Sequence, residues 1–179
     1  PDYNQVFLMP MVEFNNIYDG LTLGAKFYNK TLIRKNLNYK LSPQYATKSK
    51  TLTGGGSVFY THNIEDNNLY DITYGIGAGY SSFAENAFVT KITPSLSFNF
   101  RNDKDFRSNQ RSAINLRYVD ILRTVKDNPL VVVTEPDYRV LNLRYFNTNS
   151  GIINYNSWFT DFQVAKNFGK LSINYEFRK

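Results

Sequence analysis

Apolar and polar side chains alternate along most of this chain with a period of two, the spacing of a strand whose two faces meet different surroundings. Leu21, Leu23, Ala25 and Phe27 share one parity, with Thr22, Gly24 and Lys26 between them. Residues 37–46 repeat the rule, with Leu37, Tyr39, Leu41, Pro43 and Tyr45 against Asn38, Lys40, Ser42 and Gln44. In 51–61, Leu52, Gly54, Gly56, Val58 and Tyr60 stand against Thr53, Gly55, Ser57 and Phe59. Residues 70–81 set Tyr70, Ile72, Tyr74, Ile76, Ala78 and Tyr80 against Asp71, Thr73, Gly75, Gly77, Gly79 and Ser81. The longest run, 88–101, sets Phe88, Thr90, Ile92, Pro94, Leu96, Phe98 and Phe100 against Lys91, Thr93, Ser95, Ser97, Asn99 and Arg101.

The remaining segments follow the same rule less fully. Residues 6–14 are the least regular and include Pro10, which suits an edge, an end or a bulge because it has no N–H to give a ladder. Asn15, Asn16, Tyr18, Asp19 and Gly20 then turn the chain. A seventh strand carries Ile114, Leu116 and Tyr118 and continues to about Val125, followed by a tight turn at 126–129 into 130–133. The eighth, 138–146, shows Leu141, Leu143 and Tyr145 against Asn142 and Arg144, and a change of parity predicts a bulge near Glu135 and Pro136. The ninth puts Trp158, Thr160, Phe162 and Val164 on one face, and the tenth Leu171, Ile173, Tyr175 and Phe177. No segment keeps a 3.6-residue period long enough for a helix, so the expected class is all-β, with about ten antiparallel strands in one domain over 1–179.

The polar parity decides which solvent the apolar parity faces. A water-facing strand surface is usually dense in charge. Here that side is mostly Ser, Thr, Gly, Asn and Gln, with isolated charges, as in the lining of a barrel. Candidate lumen-facing cations are Lys40, Lys91, Arg101, Arg117 and Arg144. Aromatic residues gather near the strand ends on the apolar parity; Tyr39, Tyr45, Tyr60, Tyr70, Tyr80, Phe100, Tyr118, Tyr145, Trp158 and Phe177 form a candidate aromatic girdle, with Tyr28 and Phe88 on the same parity. Girdles flanking an apolar band, on strands of about 9–11 residues, are the pattern of an antiparallel up-and-down transmembrane β-barrel. Shorter odd-to-even connections (47–50, 126–129, 166–170) than even-to-odd ones (29–36, 62–68) would put the former on the periplasmic side. The expected location is the outer membrane of a Gram-negative bacterium, with outer-membrane lipid as partner. The chain opens on Pro1 and stops in mid-pattern after Phe177, so a segment of a larger barrel is expected, partnered by further strands or domains of a parent chain.

Composition then removes most chemistry. Among 179 residues there is no Cys and a single His. Disulfide scaffolds, thiolate metal sites and thiol nucleophiles are therefore excluded. His62 lies near Glu65, Asp66 and Asp71, an arrangement an omptin-type acid–base site could use, but the simpler reading is a loop histidine among solvated acids. Mean hydropathy of −0.43 and the absence of a long apolar run argue against a membrane helix, not against a barrel. The net charge of +6 is spread over turns and the polar face, including Lys48, Lys50, Lys104, Arg107, Arg111, Lys126, Lys166, Lys170 and Lys179. Without a concentrated patch, nucleic acid is not an expected partner. Gly54, Gly55 and Gly56 lack the GK[ST] of a phosphate loop.

The run NNIYDGLTLGAKFYN, followed by LSPQYATKSKTLTGGGSVFY, resembles the barrel region of surface-antigen (BamA-like) outer-membrane proteins, in particular those whose barrel follows a periplasmic gluzincin (aminopeptidase N-like) metallopeptidase domain. The resemblance implies an outer-membrane barrel and a longer parent, with no catalysis here, since HExxH is absent and His62 has no second His. The expected role is a membrane anchor or pore for a larger protein, with no catalytic, cofactor-binding or metal-binding residue in this stretch. The alternatives are a self-contained porin-like or omptin-like barrel and a soluble β-barrel that binds an apolar ligand.

Overall fold

The computed structural model describes residues 5–29, 35–65, 67–101, 108–125, 137–151 and 153–179. Ten strands follow one another: β1 (Phe7–Phe14), β2 (Leu21–Tyr28), β3 (Leu37–Ala46), β4 (Thr51–Asn63), β5 (Leu69–Ala84), β6 (Ala87–Arg101), β7 (Gln110–Val125), β8 (Tyr138–Ser150), β9 (Tyr155–Ala165) and β10 (Phe168–Arg178). They form one antiparallel up-and-down sheet in the order of the sequence, with β1 and β10 as the end strands of that order. The described residues contain no helix. The expected turn at 126–129, strand at 130–133 and bulge near 135–136 lie outside the described residues.

The alternation fixes the strands to within a few residues, and β2 and β3 to the residue. Strand length departs from expectation: β5 and β7 have 16 residues and β6 has 15. Alternation ends where both faces become polar, but a ladder is made by backbone groups and continues past that point. The connection lengths also blur. The β8–β9 link, 151–154, is as short as the β3–β4 turn, 47–50, while the odd-to-even β7–β8 link spans 126–137. Three turns use left-handed residues where a sharp reversal requires one, Gly20 (φ 70) before β2, Lys50 (φ 51) before β4 and Asn86 (φ 54) before β6.

Proline falls in two strands and is accommodated differently in each. Pro10 lies in β1, an end strand, opposite Ala25. Pro43 lies in β3, between β2 and β4, where a missing N–H breaks a ladder. The β2–β3 register runs Thr22↔Ala46, Leu23↔Tyr45, Gly24↔Gln44 and resumes at Phe27↔Leu41, skipping the proline. Glycines flank the gap. A Cβ on Gly24 would lie 2.3 Å from the Pro43 carbonyl oxygen, and one on Gly54, whose φ is +116, would lie 2.0 Å from that of Ser42. Only glycine permits both close approaches.

The chain divides into two compact units whose boundaries fall inside strands. The first comprises Pro1–Phe59, Ile76–Thr93 and Asp120–Tyr138; the second comprises Tyr60–Gly75, Pro94–Val119 and Arg139–Lys179.

Candidate functional site

The second unit shows the two faces most plainly, because the registers of β8, β9 and β10 align them. Leu141 opposes Val164, Leu143 opposes Phe162, and Phe162 in turn opposes Leu171, while Trp158 opposes Tyr175. All of these are exposed, Leu171 and Tyr175 each at 61%. On the other parity, Asn142 opposes Gln163 and Arg144 opposes Asp161, and Asn142 and Asp161 are buried. The Asp161 carboxylate accepts from the Asn142 amide, from Arg144 Nη2 at 3.3 Å and from Gln163 Nε2 at 3.1 Å.

The same inversion holds through the described residues, where eleven polar or charged residues are buried against five hydrophobic ones. In the second unit Asp71, 1% exposed, accepts from the Asn99 amide and lies 3.5 Å from the Thr73 hydroxyl, which is 3.0 Å from that of Thr61. Ser97 donates to the Asn115 side chain. Buried polar groups require partners, and these side chains supply them to one another across neighbouring strands.

In the first unit the buried centre is Asp19, fully enclosed in the β1–β2 turn. Its carboxylate accepts from Asn15 Nδ2 (2.8 Å), Asn16 Nδ2 (3.3 Å), Ser49 Oγ (2.8 Å), the Ser82 backbone N–H (3.1 Å) and the Ser82 hydroxyl. The turn is shaped from within, because the Asn16 side-chain oxygen accepts from the N–H groups of Tyr18 and Asp19. Lys48 Nζ donates to the Ile17 carbonyl at 2.6 Å. Burial works to raise the Asp19 pKa, but the hydrogen bonds from Ser82, Ser49 and Asn15 outweigh it and hold the carboxyl below its ordinary 3.8. Sequence reading put Ser81 on the polar face of β5; the structure buries Ser82 instead, because its N–H is turned to Asp19. Phe88, on the apolar parity, is buried as well and stacks on Tyr80 with ring centroids 5.3 Å apart.

The expected cations do not share one setting. In the first unit Lys40 and Lys91 are exposed. In the second, Arg144 bridges to Asp161 and lies 5.6 Å from the Phe159 ring centroid, Arg101 lies 4.3 Å over Tyr70, and Arg117 is exposed. Of the expected girdle, Tyr45, Tyr60, Trp158 and Phe177 are exposed, while Tyr39, Tyr70, Tyr80, Phe100, Tyr118 and Tyr145 are half-buried. Tyr145 meets Trp158 edge-on at 5.4 Å, and Tyr28 stacks on Phe7 at 5.3 Å. His62 and Glu65 are exposed, and Asp66 lies outside the described residues. Among the described residues no three His, Asp or Glu side chains are grouped as metal ligands.

Sequence reading missed the Asp19 cluster. The Asn-Asn-Ile-Tyr-Asp-Gly run announces a turn, but its donor Ser82 lies 63 residues away and no local pattern announces it. Comparison with protein-family models, with curated proteins and with solved structures gives no match.

Proposed function

We infer that this chain is an outer-membrane β-barrel segment that anchors, or forms a pore for, a larger protein of the surface-antigen (BamA-like) type. One observation carries the reading: many of the large aliphatic and aromatic side chains stand exposed, while most of the buried residues among those described are polar or charged. In water this arrangement forfeits the burial that drives folding, about 25 cal/mol per Å² of apolar surface. Against lipid it is the arrangement with the lower free energy. The up-and-down antiparallel order is that of barrels in this class. Outer-membrane lipid and the remaining strands of a parent chain are the partners that follow, and the part played by the chain is mechanical, with no reaction within it.

The test is refolding from urea with and without detergent. The reading expects folded chain only with detergent or bilayers, and monomeric folded protein in plain buffer overturns it. Conductance across planar bilayers then separates the two roles, a pore passing ions and an anchor none.

A further inference from the structure

We propose that β1 and β2 form a flap that swings away from β3 as one piece, latched at its tip by Asp19 and pivoting at its base on Asn29. The Leu21 carbonyl accepts from the Thr47 N–H at 2.9 Å, and the Asn29 N–H donates to the Tyr39 carbonyl at 3.4 Å. The N–H and C=O of one residue share a side, and the sides alternate along a strand. The odd-numbered residues of β2 therefore face β3, and the even-numbered ones face β1. Pro43 stands at the level of Ala25, which faces β3, and its missing N–H leaves that pair unbonded where the β2–β3 register breaks. Pro10 opposes the same Ala25 from β1. Ala25 makes no bond on that side, so Pro10 costs the hairpin none, and the β1–β2 register runs unbroken through eight pairs. One flank of β2 is whole and the other is split in its middle.

The split flank is held at its two ends. At the base Asn29, which is buried, accepts from the Tyr39 N–H at 2.8 Å and donates from Nδ2 to the Leu37 carbonyl at 2.7 Å. This clamp lies where β2 leads into β3 and serves as the pivot. At the tip Asp19 accepts from Ser49 and from the N–H and hydroxyl of Ser82, and Asn16 Nδ2 donates to the Ser82 carbonyl at 3.0 Å. The Lys48 and Thr47 N–H groups donate to the Asp19 and Leu21 carbonyls, and Gln44 Nε2 reaches the exposed Glu13 at 3.3 Å. Of these ties, the Asp19 carboxylate is the one that joins the tip to both the β3–β4 turn and β5. Seven of the eight residues of β1 are exposed, so few side-chain contacts oppose the opening. All these bonds lie within the first unit, and the inference does not depend on the membrane reading.

Amide hydrogen exchange of the full chain, in detergent or in buffer according to where it folds, tests the flap. Asp19→Asn places an amide donor among donors and should speed exchange at Leu23 and Phe27, which face β3, by about tenfold or more. Gly24 and Lys26, which face β1, and the amides of β9 and β10 should keep their rates. Oxidation of a Leu23→Cys, Tyr45→Cys pair, opposed in the β2–β3 register of a chain with no other Cys, should cancel the acceleration at Phe27. Should Asp19→Asn not fold, Ser49→Ala removes one latch bond and gives the same comparison at a smaller acceleration. Equal acceleration of all four β2 amides would mean that the hairpin unfolds instead of swinging, acceleration shared by β9 and β10 a global loss, and unchanged Leu23 and Phe27 no latch; each overturns the proposal. Folding in plain buffer would remove the membrane reading and leave this comparison standing.

Discussion

Asp19 and Asp161 are both buried carboxylates, and they are stabilised by different means. Asp161 lies on a strand, where the ladder places Arg144 directly opposite, and its negative charge is met by a cation as well as by two amides. Asp19 lies in a turn and has only neutral donors, from its own turn, from the β3–β4 turn and from β5. A strand offers one neighbour on each side at a fixed register, whereas a turn can gather donors from several segments. Asp19 therefore ties three pieces of chain together, and Asp161 ties neighbouring strands that are already paired through their backbones.

That difference orders the expected effects of substitution. Asp19→Ala leaves the buried Ser82 N–H and hydroxyl and the half-buried Asn16 and Ser49 donors without their acceptor and should cost about 3 kcal/mol in reversible denaturant unfolding; a loss equal to that of Asp161→Ala would erase the distinction. Asp161→Ala strands Asn142 and releases a partly solvated arginine, so the expected loss is smaller, about 2 kcal/mol. Ser82→Ala removes the hydroxyl bond but keeps the backbone one, for about 1 kcal/mol. Arg144→Ala should cost under about 1 kcal/mol, since an ion pair with one well-solvated partner is worth little, and the Arg144 side chain is 46% exposed.

Acid tests the Asp19 cluster by another route. The Asp19 pKa is lowered in the folded state, so its contribution is fully present above the ordinary value of 3.8 and is lost as pH falls through the lowered one. Unfolding midpoints measured downward from about pH 4 should fall for the natural chain and run flatter for Asp19→Asn. Parallel curves for the two proteins would mean that another group carries the acid sensitivity.

How much of this was legible in the sequence follows from the range of the interactions. Strand identity and facing are set by neighbours one and two residues apart, so the parity of Leu141, Asn142 and Leu143 was readable directly and agrees with their exposure, while Arg144, on the parity of Asn142, keeps its long side chain exposed. The Arg144–Asp161 bridge needed only the register of adjacent strands. The Asp19 cluster needed contacts across strands that are not sequence neighbours, and the displacement of burial from Ser81 to Ser82 is a consequence of those contacts. Phe88 belongs with them: its parity points outward, yet it lies buried under Tyr80 close to the β5–β6 turn.

The proline in β3 has a consequence for how this sequence can change over time. Pro43 is tolerable because Gly24 and Gly54 yield room on either side, and each glycine is required because the carbonyls of Ser42 and Pro43 press toward it. Replacing Pro43 alone restores a donor to a ladder whose neighbours remain shaped around its absence. Replacing either glycine alone drives a Cβ into a carbonyl. The three positions form an epistatic set, free to drift together and held in place when tried one at a time.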